Sequence, residues 1–348
     1  MPKQTISLCM ITKNEEKYLE QCLNSVKDIV DEIIIADTGS SDKTREIAKK
    51  FCDMRVSSRT RSQVTAKIFD FEWNDDFSEA RNESLKHATK DWILVLDADE
   101  IIDEDDLKKI KEIIENTEEN VAGLAMEQRS YINNYFEGAL KNNSDFELVK
   151  KYPFYISNFL VRLFRNKINL KFRHMVHELI EDSIEEKNLK YKPSDILIHH
   201  FGSLKDENFI AETAERYSKI IIKQAEEEPE NARYNYQAAR MYLGKNDFSS
   251  ALKYFEKSAK SNPNYKLVFS EIAKIYLQMN DKSRAVEYFK KSAKQNPDNP
   301  SPANNLAVVY MSMEKFKQAK EILEGQLKKN PENEALKHNY EECLKNLE

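Results

Sequence analysis

Residues 91–100 read DWILVLDADE, and the fold of the N-terminal part of the chain can be worked outward from them. Trp92, Ile93, Leu94, Val95 and Leu96 form an unbroken apolar run, short for a helix and bounded by charge on both sides. That is the pattern of a strand buried on both faces of an α/β sheet. The run stops at Asp97-Ala98-Asp99. In open α/β sheets ligands bind beyond the carboxyl ends of the strands, and two carboxylates at i and i+2 there can face one ligand. Hard divalent cations such as Mg²⁺ and Mn²⁺ take oxygen ligands and share them with substrate phosphates. An isolated D-x-D more often only solvates a strand end, so its neighbours decide.

Upstream, residues 5–11 are apolar and β-rich and run into Thr12-Lys13-Asn14-Glu15. Tyr18, Leu19, Cys22, Leu23 and Val26 then share one helical face. Residues 32–36 form a second strand pattern that ends at Asp37. Gly39 permits a tight turn there, and Ser41 or Asp42 can cap the helix that follows through Lys50. Strand–helix–strand–helix in this order predicts a mostly parallel, doubly wound sheet. No G-x-G-x-x-G or G-x-x-x-x-G-K-[ST] is present, so neither a dinucleotide fingerprint nor a P-loop is supported. Asp37 can accept hydrogen bonds from a ribose or a base N–H, and it can equally cap its own turn. Residues 54–66 (MRVSSRTRSQVTA) are a basic, polar insertion whose Arg55, Arg59 and Arg61 either reach phosphates or solvate a loop. Residues 67–71 resume as a strand, and a Trp73-led turn enters a helix capped by Asp75 or Asp76. Arg81 lies about one turn in, where it can face a nucleotide or make a surface ion pair.

Four segments in register, ISLCMITKNEEKYLEQCLNSV, DEIIIADTGSSDKT, WNDDFSEARN and DWILVLDADE, strongly resemble the family 2 glycosyltransferases of the GT-A fold. The resemblance implies an α/β nucleotide-diphospho-sugar transferase domain that binds a nucleoside-diphosphate sugar, a UDP-sugar first among them. By position it implies that Thr12, Asn14 and Glu15 line the nucleotide pocket and that Asp37 meets the uracil or ribose. Arg81 then helps hold the nucleotide, and Asp97 contacts ribose or metal. Asp99 is implied as the principal ligand of a divalent metal, Mn²⁺ or Mg²⁺. The basic insertion departs from compact members of the family and leaves the geometry between the second and third strands open.

Beyond this, residues 104–116 form an acidic helix pattern, 121–131 a strand, and 133–157 a long irregular stretch of the kind that often forms a binding lid. That stretch is the candidate for acceptor contact. A strand at 159–164 leads into RLFRNKINLKFRHMVHELI, which matches the subset containing lipopolysaccharide-core sugar transferases and the peptide S-glycosyltransferases of glycocin biosynthesis. An inverting transfer needs a carboxylate to take the acceptor's proton. The resemblance puts such a base in this region, with Glu178 as the choice and His177 as competitor. Residues 195–200 end a strand at His199-His200-Phe201-Gly202. The related H-x-G selects His200 as a further metal ligand, and His199 would alternate to the other face.

Residues 206–228 are a long helical segment. Past it, Pro229, Pro263, Pro297 and Pro331 recur every 34 residues, in step with Ala239, Ala273 and Ala307, with Tyr242, Tyr276 and Tyr310, and with Ala251, Ala285 and Ala319. That is the period and pattern of tetratricopeptide repeats, with small residues where helices meet and Pro where the second helix ends. The expected organisation is a GT-A domain over 1–204, a helical bridge over 205–230, and three repeats with a capping helix over 231–348. A repeat array of this kind makes a peptide-binding or a self-association surface.

Lys and Arg total 54 against 60 Asp and Glu, a net charge of −6, which argues against a nucleic-acid partner. No apolar run reaches membrane-spanning length, and the N-terminus has no signal-peptide pattern. Cys9, Cys22, Cys52 and Cys343 form no C-x-x-C pair and read as free thiols of a cytoplasmic protein. The acceptor on this reading is a peptide or protein side chain, with a glycan or lipid-linked saccharide as the alternative. The rival class is a non-catalytic scaffold on a transferase fold, against which the intact motifs count.

Overall fold

The computed structural model describes residues 4–53, 65–136 and 138–347; Arg55, Arg59 and Arg61 of the basic insertion lie outside the described residues. The chain divides into two compact units, the first ending at Glu215 and the second beginning at Arg216.

The first unit alternates strand and helix: β1 (Ile6–Thr12), α1 (Leu19–Val26), β2 (Glu32–Asp37), α2 (Thr44–Asp53), β3 (Thr65–Asp70), α3 (Phe77–Lys86) and β4 (Trp92–Val95). There follow β5 (Glu100–Ile102), α4 (Glu104–Asn116), β6 (Val121–Ile132), β7 (Leu140–Lys141), β8 (Phe154–Arg165), α5 (Glu181–Glu186) and β9 (Lys190–His200). One sheet joins them in the order β3-β2-β1-β4-β8-β6-β9-β5, with β7 paired to β8. The half from β3 to β4 is parallel. On the other side β8 runs antiparallel to both β4 and β6, and β5 runs antiparallel to β9.

Side-chain alternation along β1 shows why both faces are covered. Leu8 and Met10 join a core with Leu19 and Leu23 of α1, Ala48 of α2 and Ile110 of α4. Cys9 joins a second core with Ile34, Ile93, Val95 and, from α5, Ile184. Strands buried on two faces become continuous apolar runs, as IIIA (33–36) of β2 and WILV of β4 are. Asp76 caps α3, accepting from Glu79 N at 3.0 Å, and Asp42 accepts from Thr44 N at 2.9 Å at the start of α2.

Two expectations change. The stretch 133–157 is less irregular than its composition implied, since it holds β7 and the first residues of β8, which pair with the far end of β6 from Ile132↔Phe154 onward. The last strand begins at Lys190 rather than at 195, because β6 pairs with it in parallel along that length.

In the second unit, the end of α6 (Glu207–Glu227) is followed by α7 (Ala232–Gly244), α8 (Phe248–Ser261), α9 (Val268–Gln278), α10 (Lys282–Gln295), α11 (Pro300–Ser312), α12 (Phe316–Lys329) and α13 (Glu334–Lys345). Each of α7 to α13 packs on its neighbours in sequence, as repeat arrays do. The periodic alanines at 239, 273, 307, 251, 285 and 319 are fully buried where helices approach. Asn246, Asn280 and Glu314 repeat a left-handed backbone at the turn inside each helix pair (φ 58°, 59° and 59°), a conformation Asn tolerates best among non-glycine residues. Among the described residues no helix is long and apolar enough to cross a membrane.

Candidate active site

The D-x-D falls just past β4, at the carboxyl end of the parallel half of the sheet. There the chain turns at once into β5, which pairs with β9 so that Glu100 stands opposite His200. Phe201 N donates to the Asp99 carbonyl at 3.0 Å. This pairing brings Asp99 and His200 together across the long sequence gap between them, with Asp99 Oδ1 3.6 Å from His200 Nε2. The far ring nitrogen, Nδ1, is 2.8 Å from Ser130 Oγ on β6, a contact that fixes the imidazole's orientation. His199 turns to the opposite face, where its Nδ1 meets the Tyr131 hydroxyl at 2.6 Å. Gly202 leaves room for the pair: a Cβ there would lie 2.5 Å from His200 Nε2 and 3.2 Å from Asp99 Oδ2.

Asp97 is differently placed. Its Oδ1 accepts from Arg81 Nη2 at 2.5 Å and its Oδ2 from Arg162 Nη2 at 3.4 Å, while its backbone N–H donates to Glu100 Oε2 at 2.8 Å. Burial alone would raise this carboxyl, but the Arg81 and Arg162 charges outweigh it and hold Asp97 well below the usual carboxylate range. Arg162 also reaches Glu100 Oε1 at 3.0 Å, and Gln128 Nε2 donates to the same oxygen. Burial wins at Glu100, whose carboxyl is raised.

Arg81 is buried on α3 and its Nε donates to Glu178 Oε1 at 2.6 Å. One guanidinium therefore ties the D-x-D to the carboxylate singled out as base. Glu178 is half-buried, whereas neighbouring His177 is exposed and holds a left-handed backbone (φ 55°).

On the other flank, the turns after β1 and β2 are clipped together. Asn14 N donates to Ser40 Oγ at 3.0 Å and Ser41 N to Asn14 Oδ1 at 2.8 Å, and Thr12 O accepts from Thr38 N at 2.9 Å. Asp37, expected at the uracil or ribose, is fully buried. It accepts from Thr12 Oγ1, the N–H groups of Gly39 and Ser40, Ser40 Oγ and Arg45 Nη1. Its oxygens organise the turn after β2, the capping role that the sequence equally allowed, and Arg45 also grips Asp70. Glu15 lies beside Asp99 because both contact one lysine. Lys205 Nζ is 2.5 Å from Glu15 Oε1 and 2.7 Å from Asp99 Oδ2. Burial and the Asp99 charge push the Glu15 carboxyl up to about 7, against the pull of Lys205.

Among the described residues no three His, Cys, Asp or Glu side chains converge as a metal cluster. The donor set suits a divalent cation only in part. Asp99 Oδ1 and the oriented His200 Nε2 offer one oxygen and one nitrogen, which leaves the remaining coordination to substrate oxygens, a common arrangement for Mg²⁺ and Mn²⁺. Asp97 fits less well, since both its oxygens face guanidinium groups.

The glycosyl transferase family 2 profile matches residues 7–187, which contain β1, both clipped turns, the D-x-D and Glu178. The chain belongs to glycosyltransferase family 2. Tetratricopeptide repeat profiles match residues 232–265 and 276–338, so this family 2 member carries a C-terminal repeat domain. A TPR repeat-containing protein of Synechococcus elongatus is 30% identical over 73% of this chain and 56% of its own length. The SPbeta prophage-derived glycosyltransferase SunS of Bacillus subtilis is 29% identical over 75% of this chain and 54% of its own. The chain thus spans about half the length of these relatives. Among solved structures, MamA covers 40% of this chain at 13% identity and a TM-score of 0.33.

Arg162, Glu100, Ser130 and Lys205 were not foreseen as site residues. Arg162 left a trace, being a charge inside the apolar run 159–164, and Glu100 is a third carboxylate after the D-x-D. Nothing in the residues around Lys205 points to Asp99.

Proposed function

We propose that this family 2 glycosyltransferase is an inverting, metal-dependent enzyme that moves a sugar from a nucleoside-diphosphate sugar, a UDP-sugar first, to a peptide or protein side chain. Its transferase domain would occupy 1–204, with 205–230 as bridge and 231–348 as repeats. The observation that carries this reading is the convergence of Asp99 and His200 at the carboxyl end of β4, with Arg81 linking the same loop to Glu178. Asp99 and His200 would hold the cation, which when bound neutralises charge on the departing diphosphate. Glu178 takes the proton from the acceptor hydroxyl or thiol as that oxygen or sulfur bonds to the anomeric carbon. The bond from that carbon to the diphosphate oxygen breaks in the same displacement. Arg81 keeps Glu178 and Asp97 in fixed relation, and the Thr12–Glu15 turn faces the nucleotide. The fused repeats support a protein acceptor.

The test begins with thermal shifts on UDP-, GDP- and dTDP-sugars with and without Mn²⁺, followed by transfer to Ser- and Cys-containing peptides and to saccharides. A metal-enhanced shift with UDP-sugar and transfer to peptide are expected, with Asp99→Ala folded and inactive. A chain stabilised by none of these donors would be a scaffold, and transfer to saccharide alone would overturn the peptide acceptor.

A further inference from the structure

Lys205 takes no part in the chemistry just proposed, yet its ammonium occupies the centre of the site. It follows a single 3-10 turn, Gly202–Leu204, whose first residue is the glycine packed against His200. Its side chain is 13% exposed, and those of its two partners, Glu15 and Asp99, are 14% and 9% exposed. The Tyr18 and Phe209 rings flank the ammonium at 5.7 and 5.1 Å from their centroids, within cation–π range. Two poorly hydrated carboxylates side by side need a counter-charge, and this lysine provides it. Its geometry also sets up a conflict: Asp99 turns Oδ2 to Lys205 and Oδ1 to His200. A divalent ion held between Asp99 and His200 would meet a positive charge on the other oxygen of the same carboxylate.

We propose that Lys205 is a tethered counter-cation that competes with the divalent metal for Asp99, so that the nucleotide-free protein holds metal weakly and the metal enters together with the donor diphosphate. The diphosphate relieves the conflict by supplying negative oxygens to both cations. A lysine suits this role, since its charge sits on a flexible four-carbon stem and can turn from carboxylate to phosphate. Lys205 is thus a positioning residue that couples metal occupancy to donor occupancy. The inference rests on the metal-dependent reading above.

The experiment measures Mn²⁺ binding to the full chain by electron paramagnetic resonance of free Mn²⁺, with and without UDP, for the wild type, Lys205→Met and Lys205→Arg. Charge-assisted hydrogen bonds of this kind correspond to roughly tenfold or more in an equilibrium constant. Without nucleotide, Lys205→Met is therefore expected to bind Mn²⁺ at least about tenfold more tightly than the wild type. Lys205→Arg, which keeps the charge, stays near the wild type. UDP should raise the Mn²⁺ affinity of the wild type more than that of Lys205→Met. Equal or weaker Mn²⁺ binding by a folded Lys205→Met would overturn the inference, while UDP-dependent Mn²⁺ binding by the wild type left the metal reading standing. Failure of the wild type to bind Mn²⁺ even with UDP would overturn both. Tighter binding cannot come from a damaged fold, and if Lys205→Met does not fold, Lys205→Gln carries the same expectation.

Discussion

Replacing Arg81 by methionine isolates the interaction that joins the two halves of the site. The guanidinium side chain is 6% exposed, and it holds Glu178 at 2.6 Å and Asp97 at 2.5 Å. Methionine keeps an apolar stem against Phe172, whose ring the guanidinium faces at 5.7 Å, and removes only the charge and its donors. Breaking a buried ion pair by deleting one partner costs about 3–5 kcal/mol. The lower end applies here, because Asp97 is 32% exposed and keeps Arg162 at 3.4 Å. The expected loss is about 3 kcal/mol in the first unit. Urea unfolding followed by tryptophan fluorescence reads that unit alone, since the chain has two tryptophans, Trp73 and Trp92, and both precede Glu215. Adding Glu178→Gln removes the stranded carboxylate, so the double variant should be more stable than additivity predicts by about 1 kcal/mol or more. A loss below about 1 kcal/mol for Arg81→Met, or strict additivity in the pair, would show that these contacts are not the buried bridge described here.

Two further outcomes follow from local geometry. Gly202→Ala puts a methyl 2.5 Å from His200 Nε2, and Gly202 is not among the positive-φ residues. Stability should therefore change by less than about 1 kcal/mol while the imidazole is pushed off Asp99 and donor-sugar transfer falls about tenfold or more; unchanged transfer would count against His200. For Glu15 the carboxyl is raised from 4.5 to about 7, so between those values the folded state binds more protons than the unfolded one. Stability from this group is complete below pH 4.5 and is lost as pH rises through about 7. Relative to Glu15→Gln, the wild type should lose about 3 kcal/mol over that window and level off above it. Parallel pH profiles of urea unfolding for the two proteins would refute the assignment.

The repeat unit was legible from its residues because each helix packs on its neighbours in the chain, so period and burial carry the same information. Strands β1, β2 and β4 were legible for a related reason: burial on both faces leaves an apolar run that local composition alone reveals. The short β5 cannot display a period, and it exists because β9, far along the chain, pairs with it. The opening of β8 is half-exposed and without pattern, and its pairing with β6 makes it a strand. The site divides in the same way. Asp97, Asp99 and His200 stood out as motif residues, but which charge faces which is a property of strand order. Because β8 lies between β4 and β6, Arg162 reaches Asp97 and Glu100. Because β5 pairs with β9, His200 and then Lys205 arrive at Asp99. A run of residues encodes which of its faces is buried; the partner of a buried charge is set by segments brought alongside only when the sheet closes.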